Sequence, residues 1–407
     1  MCNENKADVA GKICDESGQL IVDDAGVRNR WKAYFSDLLQ EDAQGQNGNQ
    51  VDREVQLDEE ERAPIAVEEV EVAISKLKNG KSPGICGISA EMLKAGRTVV
   101  VKWLHRIMSL AWENGQVPED WRRAVIVPVH KKGSKVKCEN YRGISLLSIP
   151  SKAYARILDE RIRSVTESKV LEAQGGFRKG RSCTDQLFTI RQLSEKMIEK
   201  NKKMVVACVD LEKAYDRVGR DKLWKVLEEY GVKGRLLRAI RSLYKKSEGC
   251  VRVKDELSSW FPITQGVRQG CVMSPWLFNV FMDKIVREGM ENFVGGVKMS
   301  TTEVGVVLFA DDVMLLTERK EDMEANLREL KKAMSNWGMK IHWGKTKVMM
   351  VSRKGEECKV CVDGEEIEQV QNMKYLGAIL SADGTCEEEI EQRVGAAARV
   401  IGAMRKE

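Results

Sequence analysis

Two aspartates stand side by side in Phe309-Ala310-Asp311-Asp312, between the apolar runs VGVVL and VMLL. The flanks read as two buried strands that reverse at the acidic pair. Asp-Asp is nevertheless a poor tight turn, because such reversals favour Asn-Gly or Asp-Gly, which adopt positive φ readily. Taken alone, the pair is better explained as an acidic surface turn. Carboxylates gathered at strand ends have a chemical use, however: they bind hard divalent cations, which relieve their mutual repulsion. A second acidic strand end lies upstream, where VVACVD closes on Asp210 and LEKAYDRV follows. If the two ends meet in one sheet, Asp210 and Asp311 can hold two cations roughly 4 Å apart. One would activate an attacking hydroxyl and the other would stabilise a leaving pyrophosphate oxygen, the requirement for phosphoryl transfer. Tyr215, five positions after Asp210, could then lie beneath the sugar of an incoming nucleotide and obstruct a 2′-hydroxyl. Simple packing within a helix is the plainer use of its ring.

Between the two acidic ends runs Thr264-Gln265-Gly266-Val267-Arg268-Gln269-Gly270-Cys271, leading to Ser274-Pro275. The glycines let backbone approach a ligand, Ser274 before Pro275 reads as a helix N-cap, and Gln269 is expected to face substrate. A plain loop is the alternative. His105, His130 and His342 are isolated, so nucleophilic hydrolysis by a triad has no support. Cys358 and Cys361 form half a zinc site at best, and in a strand residues three apart point to opposite faces.

These residues need elements to position them. Trp31, Tyr34, Phe35, Leu38 and Leu39 recur at helical spacing, ahead of the Gly/Gln/Asn linker AQGQNGNQ, which is expected to set a small N-terminal element apart. Val67, Val70, Ala73, Ile74 and Leu77 mark a second helix, and the core is expected to begin near Pro64. Strands are expected at AVIVPV, MVVACVD and KVMMVS, with helices at SKAYARILDERIRSV, TDQLFTIRQLSEKMIEKN, LWKVLEEYGV, GRLLRAIRSLYKK, SPWLFNVFMDKIVREGM and MEANLRELKKAMSNWGMK. Hairpins are read at CVRVKDELSSWFPI and, through its Asp-Gly, at ECKVCVDGEEIEQV. Helices between non-adjacent strands give an α+β fold with one helical face on the sheet.

The 407 residues carry 43% hydrophobic content, too much for a disordered tail and enough for two or three domains. The polar N-terminus MCNENKADVA is no signal peptide, no apolar run suits a membrane span, and 11 irregularly spaced cysteines point to reduced thiols. An intracellular setting is expected, with the nucleus left open. Residues 1–75 hold 7 basic against 18 acidic residues, a balance of −11, so with a net charge of +5 the rest of the chain bears +16. Residues 121–203 alone hold 20 basic and 8 acidic residues, a surface suited to nucleic acid or simply to water.

AVIVPVHKKG, NYRGISLLS, QGGFRKGRSCTDQL, VDLEKAYDRV, GVRQGCVMSPWLFN, FADDVMLL, GMKIHWGKTK and YLG, in this order over Ala124 to Gly377, resemble reverse transcriptases of non-LTR, LINE-type retrotransposons, jockey-like and RTE-like elements included. KLKNGKSPGICGI extends the likeness toward the N-terminus. The resemblance implies a right-hand polymerase that copies RNA into DNA with two Mg2+ ions. It divides the chain into an acidic helix and linker (1–62), fingers (63–203), a ferredoxin-like palm (204–356), a primer-grip-like hairpin (357–380) and the start of a truncated thumb (381–407). It makes Asp210, Asp311 and Asp312 catalytic, and assigns the metals to Asp210, the Leu211 carbonyl and Asp311. Tyr215 falls at the steric gate, and Gln269 and Gly270 at the nucleotide-facing turn. Lys131, Lys132 and Arg142 are implied to clamp the triphosphate. Lys345 or Lys347 would protonate pyrophosphate, and Arg178, Lys179 and Arg181 would meet template or primer phosphates. Cys86 stands where relatives usually have Asp, and His342 where Asn is usual. The implied partners are an RNA template, a DNA primer or target and dNTPs, with no membrane and with an endonuclease elsewhere in the full element. Two rival readings remain: a catalytically inactive, truncated relic that only binds nucleic acid, and an RNA-templated RNA polymerase, which Tyr215 disfavours.

Overall fold

The computed structural model describes residues 11–40, 63–299, 301–353 and 356–404; the AQGQNGNQ linker lies outside them. The chain forms two compact units, Met1–Lys169 with Tyr215–Val280, and Val170–Ala214 with Phe281–Glu407. The units interleave along the sequence, whereas the domain reading used contiguous spans.

In chain order, the first unit contains, after a small hairpin of Ile13–Cys14 with Leu20–Ile21, helix α1 (Asp24–Leu39), α2 (Val67–Ser75) and α3 (Arg97–Asn114). Strands β1 (Arg123–His130) and β2 (Tyr141–Leu147) and helix α4 (Ile149–Thr166) follow. The second unit then takes α5 (Cys183–Glu199) and β3 (Met204–Val209). The chain returns to the first unit for α6 (Arg220–Glu229), α7 (Gly234–Tyr244), β4 (Glu248–Val253) and the first half of α8 (Ser274–Gly289). The second unit closes with β5 (Val306–Phe309), β6 (Asp312–Thr317), α9 (Lys320–Asn336), β7 (Lys347–Val351) and α10 (Glu387–Met404).

In the first unit, α1 starts where the Asp23 carboxylate accepts the Gly26 N–H at 2.6 Å, a side-chain N-cap. Its apolar stripe, Val27, Trp31 and Phe35, is buried against Ile126 of β1, Tyr141 of β2 and Val251 and Val253 of β4. This corrects the expectation of a separate N-terminal element and a core beginning near Pro64: a helix carrying Trp31 gains most by covering a sheet. β1 pairs antiparallel with β2 and parallel with β4. Along α2, Val70, Ala73 and Ile74 are buried, but Val67 opens the helix and stays exposed, contrary to the face drawn from spacing.

The second unit is built on an antiparallel sheet in the order β5-β6-β3-β7. The first strand in sequence thus sits between the third and fourth, the order of a split β-α-β-β-α-β sheet. On one face Met204, Val206, Met314, Leu316, Met349 and Val351 pack with Ile190, Leu193 and Met197 of α5. Val205, Ala207 and Val209, which point the other way, are equally buried, and α9 lies against β6 and β3. Both faces are therefore covered, which corrects the expectation of helices on one face. The uninterrupted apolar run MVVACV suits such a strand, since an alternating pattern would leave one face wet.

Two hairpins, not one, occupy 357–380: Val360–Val362 with Glu365–Ile367, and Asn372–Tyr375 with Ala378–Ser381. The first turns on Asp363 and Gly364, both at positive φ, as its Asp-Gly predicts. Among the described residues no helix is long and apolar enough to cross a membrane.

Candidate active site

The second unit brings the acidic strand ends together. β6 and β3 run antiparallel with Val313 opposite Val209, so one step further along the register stand Asp312 and Asp210. Phe309 pairs with Asp312, leaving Ala310 and Asp311 as the turn. The positive φ that the reversal needs falls on Ala310, at +57°, and not on an aspartate. Asp210 and Asp311 are half-buried and Asp312 is exposed.

Cys208 registers the convergence. Burial first, and then the negative charges of Asp312 and Asp210, together push its thiol from 9.0 up to about 12. At pH 9 an ordinary thiol is half ionised, whereas Cys208 stays protonated, so iodoacetamide is expected to label it at least about tenfold more slowly than the same segment in a free peptide. Site-resolved mass spectrometry reads the rate. Added Mg2+ should narrow the gap, because a cation at the two carboxylates cancels their part of the push.

Backbone contacts fix Asp210. Its N–H donates to Thr346 Oγ1 at 3.3 Å, and its carbonyl accepts the His342 N–H at 2.8 Å. Glu212 N–H donates to the Lys340 carbonyl at 2.9 Å, closing a non-hydrogen-bonded Leu211–Ile341 pair whose geometry turns the Leu211 carbonyl away from Ile341. Lys345 Nζ is 4.0 Å from Asp210 Oδ1. Lys347 is occupied elsewhere, donating to the Gly344 carbonyl at 2.8 Å and to Glu368 at 2.7 Å.

The segment before the basic loop flanks the acidic turn. Leu308 N–H donates to the Ala173 carbonyl at 3.1 Å, and Gly175 N–H to the Leu308 carbonyl at 2.8 Å. Arg178, assigned by sequence to a nucleic-acid backbone, places Nη1 3.1 Å from the Leu171 carbonyl and 3.4 Å from that of Gln174. Arg181 pairs with Glu172, and Lys179 is exposed.

The first unit holds the remaining candidates. Tyr215 lies in a turn rather than a helix, with its ring stacked 4.3 Å from that of Phe278. Val267 N–H donates to the Tyr215 carbonyl at 2.9 Å, and Gly266 N–H to that of Val218 at 2.9 Å, so the glycine-rich loop is woven onto this turn. Gln269 donates through Nε2 to Asp216 at 2.6 Å, so its side chain is tethered. Gly270, at φ +115°, has the Ser145 carbonyl 2.5 Å from where a Cβ would stand, so only glycine fits. α8 starts at Ser274 itself, whose hydroxyl lies 3.2 Å from that of Tyr244. Lys131, Lys132 and Arg142 are exposed on the hairpin of β1 and β2, where Arg142 faces Val129.

Among the described residues no three His, Cys, Asp or Glu side chains form a ready metal cage. Mg2+ does not require one: it is commonly held by one or two carboxylates, waters and substrate phosphates. Asp210 and Asp312 on neighbouring strands, Asp311 in the adjoining turn and the Leu211 carbonyl are the hard oxygen donors such an ion takes, and they fit it.

Residues 129–380 match the family model described as reverse transcriptase (RNA-dependent DNA polymerase), more than half of the chain. The chain belongs to this family. The matched span includes every candidate residue named above from Lys131 to Lys347. The chain is 26% identical over 379 residues to the transposon TX1 uncharacterized 149 kDa protein of Xenopus laevis, covering 90% of this chain and 29% of that one. It is 28% identical over 335 residues to the probable RNA-directed DNA polymerase from transposon BS of Drosophila melanogaster, covering 78% and 36%. The chain thus spans about a third of the length of these relatives. Telomerase from Candida tropicalis superposes with a TM-score of 0.45 at 13% identity, over 72% of this chain and 48% of that one. Sequence reasoning missed Gln174, Thr346, Asp216 and Arg220. Gln174 and Thr346 lay inside quoted motifs, QGGFRKGRS and GKTK, where the eye goes to the charges.

Proposed function

We propose that this chain is the RNA-directed DNA polymerase portion of a non-LTR retrotransposon, adding dNTPs to a primer 3′-hydroxyl on an RNA template. The observation that carries the reading is the adjacency of Asp210 and Asp312 on neighbouring strands, with Asp311 in the turn beside them. The split sheet of the second unit is read as a ferredoxin-like palm, the basic hairpin of β1 and β2 as part of the fingers and α10 as part of the thumb.

Asp210, Asp311, Asp312 and the Leu211 carbonyl would hold two magnesium ions, which supply charge neutralisation for the attacking hydroxyl and the departing pyrophosphate. Lys345, beside Asp210, is the better placed of the two lysines to hand a proton to pyrophosphate, since Lys347 is paired with Glu368. Lys131, Lys132 and Arg142 would grip the triphosphate, Gly270 would let backbone approach the nucleotide, and Tyr215 would exclude a 2′-hydroxyl. Gln269 would present its amide from the anchor of Asp216. Lys179 and Arg181 would meet template or primer phosphate, with Arg178 shaping their loop. An endonuclease elsewhere in the element and an intracellular setting complete the proposal.

Extension of a labelled DNA primer on an RNA template, with dNTPs and Mg2+, tests it. Product that lengthens with time is expected. Folded protein that binds the duplex in a salt-sensitive manner without extending it would make the relic reading the right one.

A further inference from the structure

We infer that Gln174 is a positioning residue for the acidic turn: its amide oxygen holds Ala310 in the strained conformation that fixes where Asp311 and Asp312 stand. The inference rests on the reading of those carboxylates as the catalytic pair.

Gln174 is wholly buried. Its Oε1 accepts two backbone N–H groups, from Ala310 at 2.9 Å and from Gly176 at 2.8 Å. The two donors settle the amide orientation, since a flipped side chain would aim its NH2 at two N–H groups. Nε2 is buried with no partner among the described residues. The side chain is therefore kept for its acceptor, although burying an unmatched donor is unfavourable. Ala310 sits at φ +57°, a conformation that glycine adopts freely and alanine does not, so an outside contact must hold it there. The Gln174–Leu308 bridge sets the amide at the right height beside β5. Gly176 closes the arrangement: a Cβ there would stand 2.5 Å from the Ala310 nitrogen. Asp311 follows Ala310 directly, so rotation of the Ala310 peptide re-aims the first carboxylate and shifts the rung carrying the second.

The test compares Gln174→Met, which keeps length and loses the acceptor, with Gln174→Glu, which keeps an acceptor oxygen. Amide hydrogen exchange at Ala310 is followed together with single-nucleotide primer extension and Mn2+ affinity by electron paramagnetic resonance. In Gln174→Met, exchange at Ala310 is expected to rise about tenfold or more while amides of β3 hold. kcat should fall about tenfold with KM for dNTP within twofold, and Mn2+ should bind more weakly. Gln174→Glu should restore protection at Ala310 and part of kcat. Unchanged exchange at Ala310 in Gln174→Met overturns the clamp. Raised exchange with unchanged kcat and Mn2+ affinity overturns the positioning role, as does a kcat loss matched by exchange throughout the sheet. If the unaltered protein fails to extend any primer, the polymerase reading falls, and exchange with Mn2+ affinity still decides the role of Gln174.

Discussion

Asp311→Asn is expected to lower single-nucleotide extension about a thousandfold, equivalent to about 4 kcal/mol of barrier, while leaving the folded protein intact. Asparagine has nearly the size of aspartate but no charge, so it cannot neutralise a divalent cation beside a phosphate. The turn itself should tolerate the change. Its reversal is carried by the positive φ of Ala310, and Phe309 still pairs with Asp312. Removing one of several neighbouring carboxylates also relieves repulsion, so thermal stability should hold or rise slightly. Saturating dNTP and primer separate this from a binding defect, because an interaction made only in the transition state lowers kcat and kcat/KM together. Extension by Asp311→Asn within tenfold of the unaltered protein would remove Asp311 from the chemistry and leave it to the Asp210–Asp312 rung. The same substitution probes the thiol: with Asp312 and Asp210 still in place, the slow alkylation of Cys208 should persist.

The sheet and its acidic ends were readable because their signals are local. MVVACV is too uniformly apolar for anything but a buried segment, and Asp210 ends it with a charge. The choice between Asp311 and Asp312 as the neighbour of Asp210 was not readable. It depends on which residues form the turn, and a slip of one residue moves every side chain to the other face. The positive φ at Ala310 decides that register, and nothing in the letter alanine announces it. α1 was readable as a helix but not as part of the first unit's core, since Arg28 meets Glu256, 228 residues away. Gln174 escaped notice for a different reason: a lone glutamine is ordinarily a surface residue, and only the fold shows that its oxygen has two backbone donors. Charge alone also did not show that Arg178, assigned by sequence to nucleic acid, donates to the Leu171 and Gln174 carbonyls.

Arg220 shows the same inward use of charge, and Arg220→Leu is expected to destabilise the first unit by about 3 kcal/mol, since buried acceptors that lose their donor cost about 1–3 kcal/mol each. At the start of α6 an arginine reads as a solvated residue, yet this one is buried. Nε donates to the Gly266 carbonyl at 3.2 Å. Nη1 reaches the carbonyls of Tyr244 at 3.2 Å and Ile263 at 2.7 Å and the Ser247 hydroxyl at 3.0 Å, while Nη2 lies 3.4 Å from the Gln265 carbonyl. The guanidinium also sits 5.0 Å from the centroid of the Tyr244 ring. One planar fork thus gathers the carbonyls on which the loop carrying Gln269 and Gly270 begins. Leucine fills similar space but leaves those acceptors without their donors, each a desolvated group that folding no longer compensates. Lysine should not rescue, because an ammonium at the end of a flexible stem cannot reach carbonyls spread around a rigid plane. Arg123→Ala is the control. That side chain pairs with Glu119 at 2.7 Å and Glu248 at 3.0 Å, but all three are partly or largely exposed, so its loss should cost no more than about 1 kcal/mol. Urea unfolding followed by tryptophan fluorescence ranks the variants. If Arg220→Leu unfolds at the same urea concentration as Arg123→Ala, the carbonyls around Arg220 do not depend on it, and the loop is held by its other bonds, among them those to Leu39, Tyr215 and Val218.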